Sequence, residues 1–264
     1  MKIRQAPRAA YIMLILALMY LPIAVVIVFS FSASGNTVLW TGATFDWYRK
    51  ALHDTSMLNA LLHSVIIGLT ASVLAAIIGT SAAVGVVTRK PPAAGAAQYV
   101  ATLPIMVPEI VFGIAFFMFV SLVRIPLGFT ALLIAHTSFC VPYVYLLVKA
   151  RLAGMPRSYE EAARDLGATG LRAFFDVTLP MISPAILSGM LLSFAMSFDD
   201  VIISAYLTSQ TFGTLPGKLL SIKAGNSETR MKAYALTAMI FAVTLLFAAA
   251  FGLITRTKSR RVRV

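Results

Sequence analysis

At 264 residues, with 59% hydrophobic and 12% charged side chains, the chain is too apolar for a soluble domain and has the length of a handful of membrane spans. A net charge of +12 would suit nucleic acid only if the basic residues gathered on one solvated face, and here they fall between apolar runs. The single cysteine, Cys140, lies inside such a run, which excludes a disulfide framework and a paired-cysteine metal or redox site.

After a basic leader with Lys2, Arg4 and Arg8, residues 11–31 carry no charge. They match the ~20 residues that cross a bilayer core and lack the small-residue cleavage site of a secretory leader. Residues 32–57 are mixed, with Trp40, Trp47 and Tyr48 suited to a membrane surface. The second span covers 58–88, with His63 as its titratable group, and stops at Arg89-Lys90-Pro91-Pro92. The third covers 98–123, where Pro104 and Pro108 predict a kink beside Glu109. A fourth covers 129–148 and contains His136, a fifth covers 184–207 and contains Asp199 and Asp200, and a sixth covers 233–255 ahead of a basic tail. The expectation is an all-α, polytopic membrane protein forming a single transmembrane domain of six spans. Six spans place both termini on one side, and fifteen of the 22 Lys and Arg residues fall on that side, which predicts cytoplasmic termini.

Between the fourth and fifth spans lies a polar island, residues 158–180, SYEEAARDLGATGLRAFFDVTLP. Ser158 three residues before Glu161 is the spacing of a capping box. Tyr159, Ala162, Ala163 and Leu166 then recur at helical spacing, while Glu160, Arg164 and Asp165 point elsewhere. Gly167 suits the left-handed residue that ends a helix, and Thr169 can cap a second short helix bearing Leu171, Phe174 and Phe175. Leu179-Pro180 closes the unit. Such a knob either docks into a groove of another protein or lies along the membrane surface as an amphipathic linker.

Glu109, Asp199 and Asp200 are the acids inside spans. A carboxylate at mid-bilayer costs roughly 2.5–3.5 kcal/mol, so each should face protein or a wet cavity. Treated as one helix, span five aligns Ser193, Ser197, Asp200, Ser204 and Thr208 on a polar stripe, with Asp199 about 100° around, in line with Met196, Ile203 and Tyr206. Two adjacent acids with no basic residue in any span would attract a cationic solute; alternatively, one bonds across to another helix and the other stays protonated. Glu109 either lines the pathway or satisfies backbone donors freed by the kink. His136, sharing a face with Cys140 and Tyr143, fits a helix-to-helix hydrogen bond better than a ligand. Tyr206 offers a cation–π surface or simple packing.

The order Glu161-Ala162-Ala163, three residues, Gly167, nine residues, Val177-Thr178-Leu179-Pro180 resembles the EAA loop of ABC importer permeases, with Val177 in place of isoleucine. Further stretches resemble the second permease subunit of spermidine/putrescine ABC importers: Tyr20-Leu21-Pro22, Phe29-Ser30-Phe31-Ser32, Trp47-Tyr48, Val107-Pro108-Glu109-Ile110-Val111, Ala135-His136-Thr137-Ser138-Phe139-Cys140 and Ser197-Phe198-Asp199-Asp200-Val201-Ile202-Ile203-Ser204. The resemblance implies a type I importer permease fold in a bacterial inner membrane. It also implies a second permease, an ATPase dimer and an extracytoplasmic binding protein as partners. Tyr159, Glu160, Glu161, Ala162, Ala163, Leu166, Gly167, Leu179 and Pro180 would then form the ATPase-coupling loop. One stretch departs: Asn226 to Ala233 brings in Arg230 and Lys232, positive groups that would repel a polyamine.

The function expected is a permease subunit for polyamines or similar cationic solutes, with Glu109, Ser197, Asp199, Asp200, Ser204 and Tyr206 along the pathway. Another small solute, such as an amino acid, ferric iron or a phosphonate, is the alternative. No GxxxxGK followed by Ser or Thr occurs, so the chain has no catalytic or metal site of its own in this reading, and ATP and Mg belong to the partner ATPase. The competing class is an ion-coupled secondary transporter using the same three acids.

Overall fold

A bilayer core offers no water to backbone N–H and C=O groups, so the apolar runs fold as helices that satisfy these groups internally. The computed structural model describes residues 5–35, 39–89, 92–156, 158–222 and 227–261. Lys2, Arg4, Lys90, Pro91 and Asn226, and the basic residues Arg157, Lys223 and Arg263, lie outside the described residues. Those described form twelve α-helices and one π-helical turn, with no strand beyond an isolated bridge between Ser32 and Ala43. The chain divides into two compact units, 1–58 with 221–264, and 59–220.

In the first unit, α1 (Gln5–Phe29) and the short α2 (Asp46–His53) both pack on α12 (Ser227–Arg261). Phe31, Phe45 and Tyr48 cluster where α1 gives way to α2, and Tyr48 Oη and Ser30 Oγ share a 2.6 Å hydrogen bond. Lys232 on α12 donates to Asp54 Oδ2 at 2.8 Å, and Lys50 lies 3.7 Å from Glu228.

The second unit holds most of α3 (Thr55–Arg89), then α4 (Ala94–Met106), α5 (Glu109–Val123), α6 (Phe129–Ala153), α7 (Ser158–Asp165), α8 (Gly170–Ala173), the π turn Phe174–Thr178, α9 (Leu179–Phe198), α10 (Ile202–Leu207) and most of α11 (Leu215–Ser221). Its core is α6, which buries residues on every side, among them Leu132, Ala135, His136, Cys140, Val144, Tyr145 and Val148. Small residues let neighbours approach it closely, the usual device where lipid offers no hydrophobic drive to association. A Cβ at Gly79 of α3 would stand 3.0 Å from the backbone N of Tyr145, and one at Gly189 of α9 would stand 2.9 Å from Val144 Cα. Cys140 Sγ donates to the Ser193 carbonyl and Ser193 Oγ to the Cys140 carbonyl, both at 3.3 Å, and Arg151 Nε donates to the Met181 carbonyl at 3.1 Å. α6 and α9 therefore run antiparallel as one sutured pair.

Two expected spans are interrupted. Among the described residues, five helical stretches are long and apolar enough to cross a membrane, and the expected third span is instead α4 and α5, bent by 108°. Pro104 sits inside α4 without breaking it, whereas Val107 is extended ahead of Pro108, the conformation that a following proline imposes. The fifth span is also not one helix. It begins at Leu179, directly from the island, and α9 stops at Phe198 before the separate α10. Aspartate competes with helical backbone bonding, and Asp200 accepts from the backbone N–H groups of Ile203 and Ser204 at 3.1 and 2.8 Å.

Candidate functional site

The island folds as a knob. Ser158 is the first residue of α7, one position inside the cap that its spacing suggested. α7 ends as Gly167 requires. With φ at +88°, Gly167 donates to the Arg164 carbonyl, and Ala168 donates to that of Ala163, the paired bonds of a glycine-terminated helix. Thr169 Oγ1 then accepts from Arg172 N at 3.3 Å, capping α8. The π turn carries the chain without interruption into α9, so α8, the second half of the knob, and a 20-residue helix are one continuous element. π turns inside helices occur often at functional sites. Pro184 lacks the N–H that would reach the Pro180 carbonyl, and Ser183 Oγ supplies that donor at 2.9 Å.

The knob's apolar side faces outward. Leu166 is 90% exposed, Leu171 75%, Phe175 59% and Tyr159 50%. Glu161 and Ala162 are exposed, while Ala163, Glu160 and Leu179 are half-buried and Pro180 is exposed. Glu160 pairs with Arg164 at 2.7 Å. A groove of about 1180 Å³, walled by Val84 and Val87 of α3, Leu152 of α6 and Leu171 and Phe174 of the knob, separates the knob from the helix ends above it.

At the far end of α9, the helix break gathers the three intramembrane acids. Glu109 opens α5, where the exposed N–H groups of a helix start favour a carboxylate. It lies near enough to Asp200 and Asp199 for the three carboxylates to interact electrostatically. Tyr143 on α6 lies near enough to Glu109 and Asp199 to interact with them electrostatically. Asp199 itself, the residue that terminates α9, is exposed.

The pathway residues expected from the sequence separate into two sets. Asp199 is exposed, with Glu109 and Tyr206 half-buried. Asp200, Ser197 and Ser204 are buried instead, at 4%, 3% and 0% exposure. The polar stripe assumed one continuous helix. With the helix broken, Asp200 turns inward to cap α10, Ser197 bonds His136 at 2.7 Å, and the Ser204 backbone bonds Asp200. Tyr206 packs edge-on against Gly113 of α5, where a Cβ would come within 3.0 Å of its ring. His136 does make the interhelical bond expected of it. Tyr143 was not read as a neighbour of the acids, although its spacing from His136 and Cys140 placed it on their face. The Asp54–Lys232 pair had no signal, since its partners lie 178 positions apart. That pair neutralises Lys232, one of the two charges that counted against a polyamine. Among the described residues, no group of three or more His, Cys, Asp or Glu side chains is arranged to hold a metal ion.

The sequence profile of the family described as "Binding-protein-dependent transport system inner membrane component" matches residues 75–264. The chain belongs to this family. The permease is 34% identical over 268 residues to the putrescine transport system permease protein PotI of Escherichia coli K12, covering 99% of this chain and 95% of that one. It is also 34% identical over 257 residues to the spermidine/putrescine transport system permease protein PotC of the same strain, covering 96% and 95%. Among solved structures, the permease resembles a chain of a bacterial ABC transporter involved in the import of the acidic polysaccharide alginate, with a TM-score of 0.74, 17% identity and coverage of 95% and 96%. It resembles a chain of the MetNI methionine ABC transporter with a TM-score of 0.59, 16% identity and coverage of 75% and 93%. At those identities the likeness concerns the fold alone.

Proposed function

We propose that this permease forms, with a second permease, the pathway of an ATP-driven importer for polyamines or closely similar organic cations. The observation that carries the substrate class is the gathering of Glu109, Asp199 and Asp200 around one helix break, with Tyr143 beside them and Asp199 exposed. Clustered carboxylates in a low-dielectric setting bind cations and repel anions, so an acidic polysaccharide is a poor cargo here. Putrescine and spermidine, for which PotI and PotC are named, are organic cations.

The knob is the contact for an ATPase subunit, which binds the ATP and Mg. Its outward leucines and aromatics form the apolar patch that marks a partner surface, and Gly167 fixes their direction. Both termini lie in the cytoplasm, and so does the knob. Because α9 has 20 residues, it spans about 30 Å, the thickness of a bilayer core. Movement imposed on the knob by the ATPase therefore passes through the π turn and α9 to the acid cluster at the other end. The sutured α6 moves with it, as a rigid pair closing and opening the pathway. An extracytoplasmic binding protein delivers the solute.

Uptake of labelled putrescine into proteoliposomes bearing the assembled complex, with its binding protein outside and ATP available to the ATPase, tests this reading. ATP-dependent accumulation, competed by spermidine and not by alginate oligosaccharides, is expected. Uptake that proceeds without nucleotide contradicts it and favours a secondary transporter.

A further inference from the structure

His136 is fully buried at the centre of α6, and both of its ring nitrogens are aimed. Nδ1 shares a 2.7 Å hydrogen bond with Ser197 Oγ, in the last turn of α9. Nε2 makes no hydrogen bond and lies 3.5 Å from Asp200 Oδ2. A buried nitrogen facing nothing is costly, and the group facing this one is a carboxylate. That carboxylate in turn accepts from Ile203 N and Ser204 N, which starts α10. The imidazole thus stands between the end of one helix and the start of the next, bridging the break on either side of Asp199. Further along the same seam, Cys140 with Ser193 and Val144 with Gly189 hold α6 and α9 in register, so the ring cannot drift away from the break.

We propose that His136 is a positioning residue for solute passage. By bonding Ser197 and facing Asp200, it clamps the break between α9 and α10 and sets the direction of the Asp199 carboxylate. The inference rests on the reading of Asp199 as a solute-facing group. Space-filling alone would be served by any side chain of similar volume. The clamp needs a donor or acceptor at both ring positions.

The test uses the assembled complex in nanodiscs, its other subunits free of cysteine, with Asp199→Cys as a position reporter. Cys140 is fully buried and gives the unreactive background. A charged, membrane-impermeant thiol reagent reads the labelling rate of the new cysteine. His136→Asn leaves an amide too short to face Asp200. The loss of the contact with the Asp200 carboxylate then changes the labelling rate by about tenfold. His136→Gln, whose amide nitrogen reaches towards the place of Nε2, restores most of that change. Ser197→Ala removes the other anchor and shifts the rate in the same direction, which keeps the test open if His136→Asn fails to assemble. With Asp199 intact, His136→Asn raises the KM for putrescine-stimulated ATPase activity more than it lowers kcat. Unchanged labelling in both His136→Asn and Ser197→Ala overturns the proposal. Labelling that responds as expected, combined with an Asp199→Asn variant whose putrescine KM is unaltered, upholds the clamp and removes the solute-facing role of Asp199.

Discussion

Val144 of α6 sits between two glycines, and a single methyl on either side is felt through backbone atoms. A Cβ at Gly189 would lie 2.9 Å from Val144 Cα, 3.2 Å from its Cγ2 and 3.3 Å from its Cβ. Carbon atoms settle at about 3.5–4.0 Å, so Gly189→Ala must push α6 and α9 apart by about half an ångström or more. Overpacking of this kind costs about 1–3 kcal/mol, because helix backbone cannot step aside as a flexible side chain can. Gly85, on α3, is the internal control. A Cβ there meets nothing within 4 Å, and Gly85→Ala gains up to about 1 kcal/mol of helix propensity. The same substitution at two positions therefore shifts stability in opposite directions. Cys140 supplies the assay, since it is the chain's single cysteine, fully buried, and bonded to Ser193 within the seam under test. In a complex whose other subunits lack cysteine, a thiol-reactive dye reports the temperature at which the seam opens. Gly189→Ala lowers that temperature and Gly85→Ala leaves it level or raises it. Shifts of equal sign and size refute the packing argument.

Gly167→Ala meets no atom within 4 Å but must hold a φ of +88°, a strain of about 1–2 kcal/mol. It therefore weakens ATPase co-purification, and Gly167→Asn, which tolerates that conformation better, weakens it less. Asp199→Asn lowers putrescine uptake while leaving the amount of assembled complex unchanged, whereas Asp200→Ala, which strips two backbone amides of their acceptor, lowers the amount of assembled complex; the reverse pattern, read by uptake per complex, contradicts the geometry. Leu166→Asp, at a position 90% exposed, leaves the dye-reported temperature unchanged and abolishes ATPase binding in a pull-down. Lys232→Met removes the ammonium that lies 2.8 Å from the Asp54 carboxylate, both 18% exposed, at a cost of about 1–3 kcal/mol, and Asp54→Asn in the same chain recovers part of the loss in thermal unfolding, as coupled neighbours do.

Much of the knob was legible because its determinants are local. Gly167 needs only its own backbone freedom to end α7, Thr169 needs only Arg172 N, and both act as the spacing suggested. The apolar runs were legible for the same reason, since each helix satisfies its own backbone. The helix break at Asp199 was not. Periodicity carried the polar stripe through 193–208 as if nothing interrupted it, because a pattern of serines and aspartates at helical spacing does not disclose whether an aspartate bonds outward or back to the chain. Asp200 bonds back, and a buried histidine 64 positions earlier stands behind it. The kink at Pro108 was foreseen but not its size, which depends on how α5 packs against α6 and α10 after the break. Long-range pairings such as Lys232 with Asp54 left no trace in the sequence, and one of them changes the reading of a charge that had counted against the substrate.

In the proposed mechanism, a nucleotide-driven movement at the knob reaches a cation pathway at the other end of α9. The most direct measurement is ATPase activity of the assembled complex in nanodiscs with its binding protein, titrated with putrescine, spermidine, arginine and ferric iron. Stimulation by putrescine or spermidine is expected, absent in Leu166→Asp and requiring a higher polyamine concentration in Asp199→Asn. An ATPase rate indifferent to every polyamine, or one that responds equally well in Leu166→Asp, contradicts it.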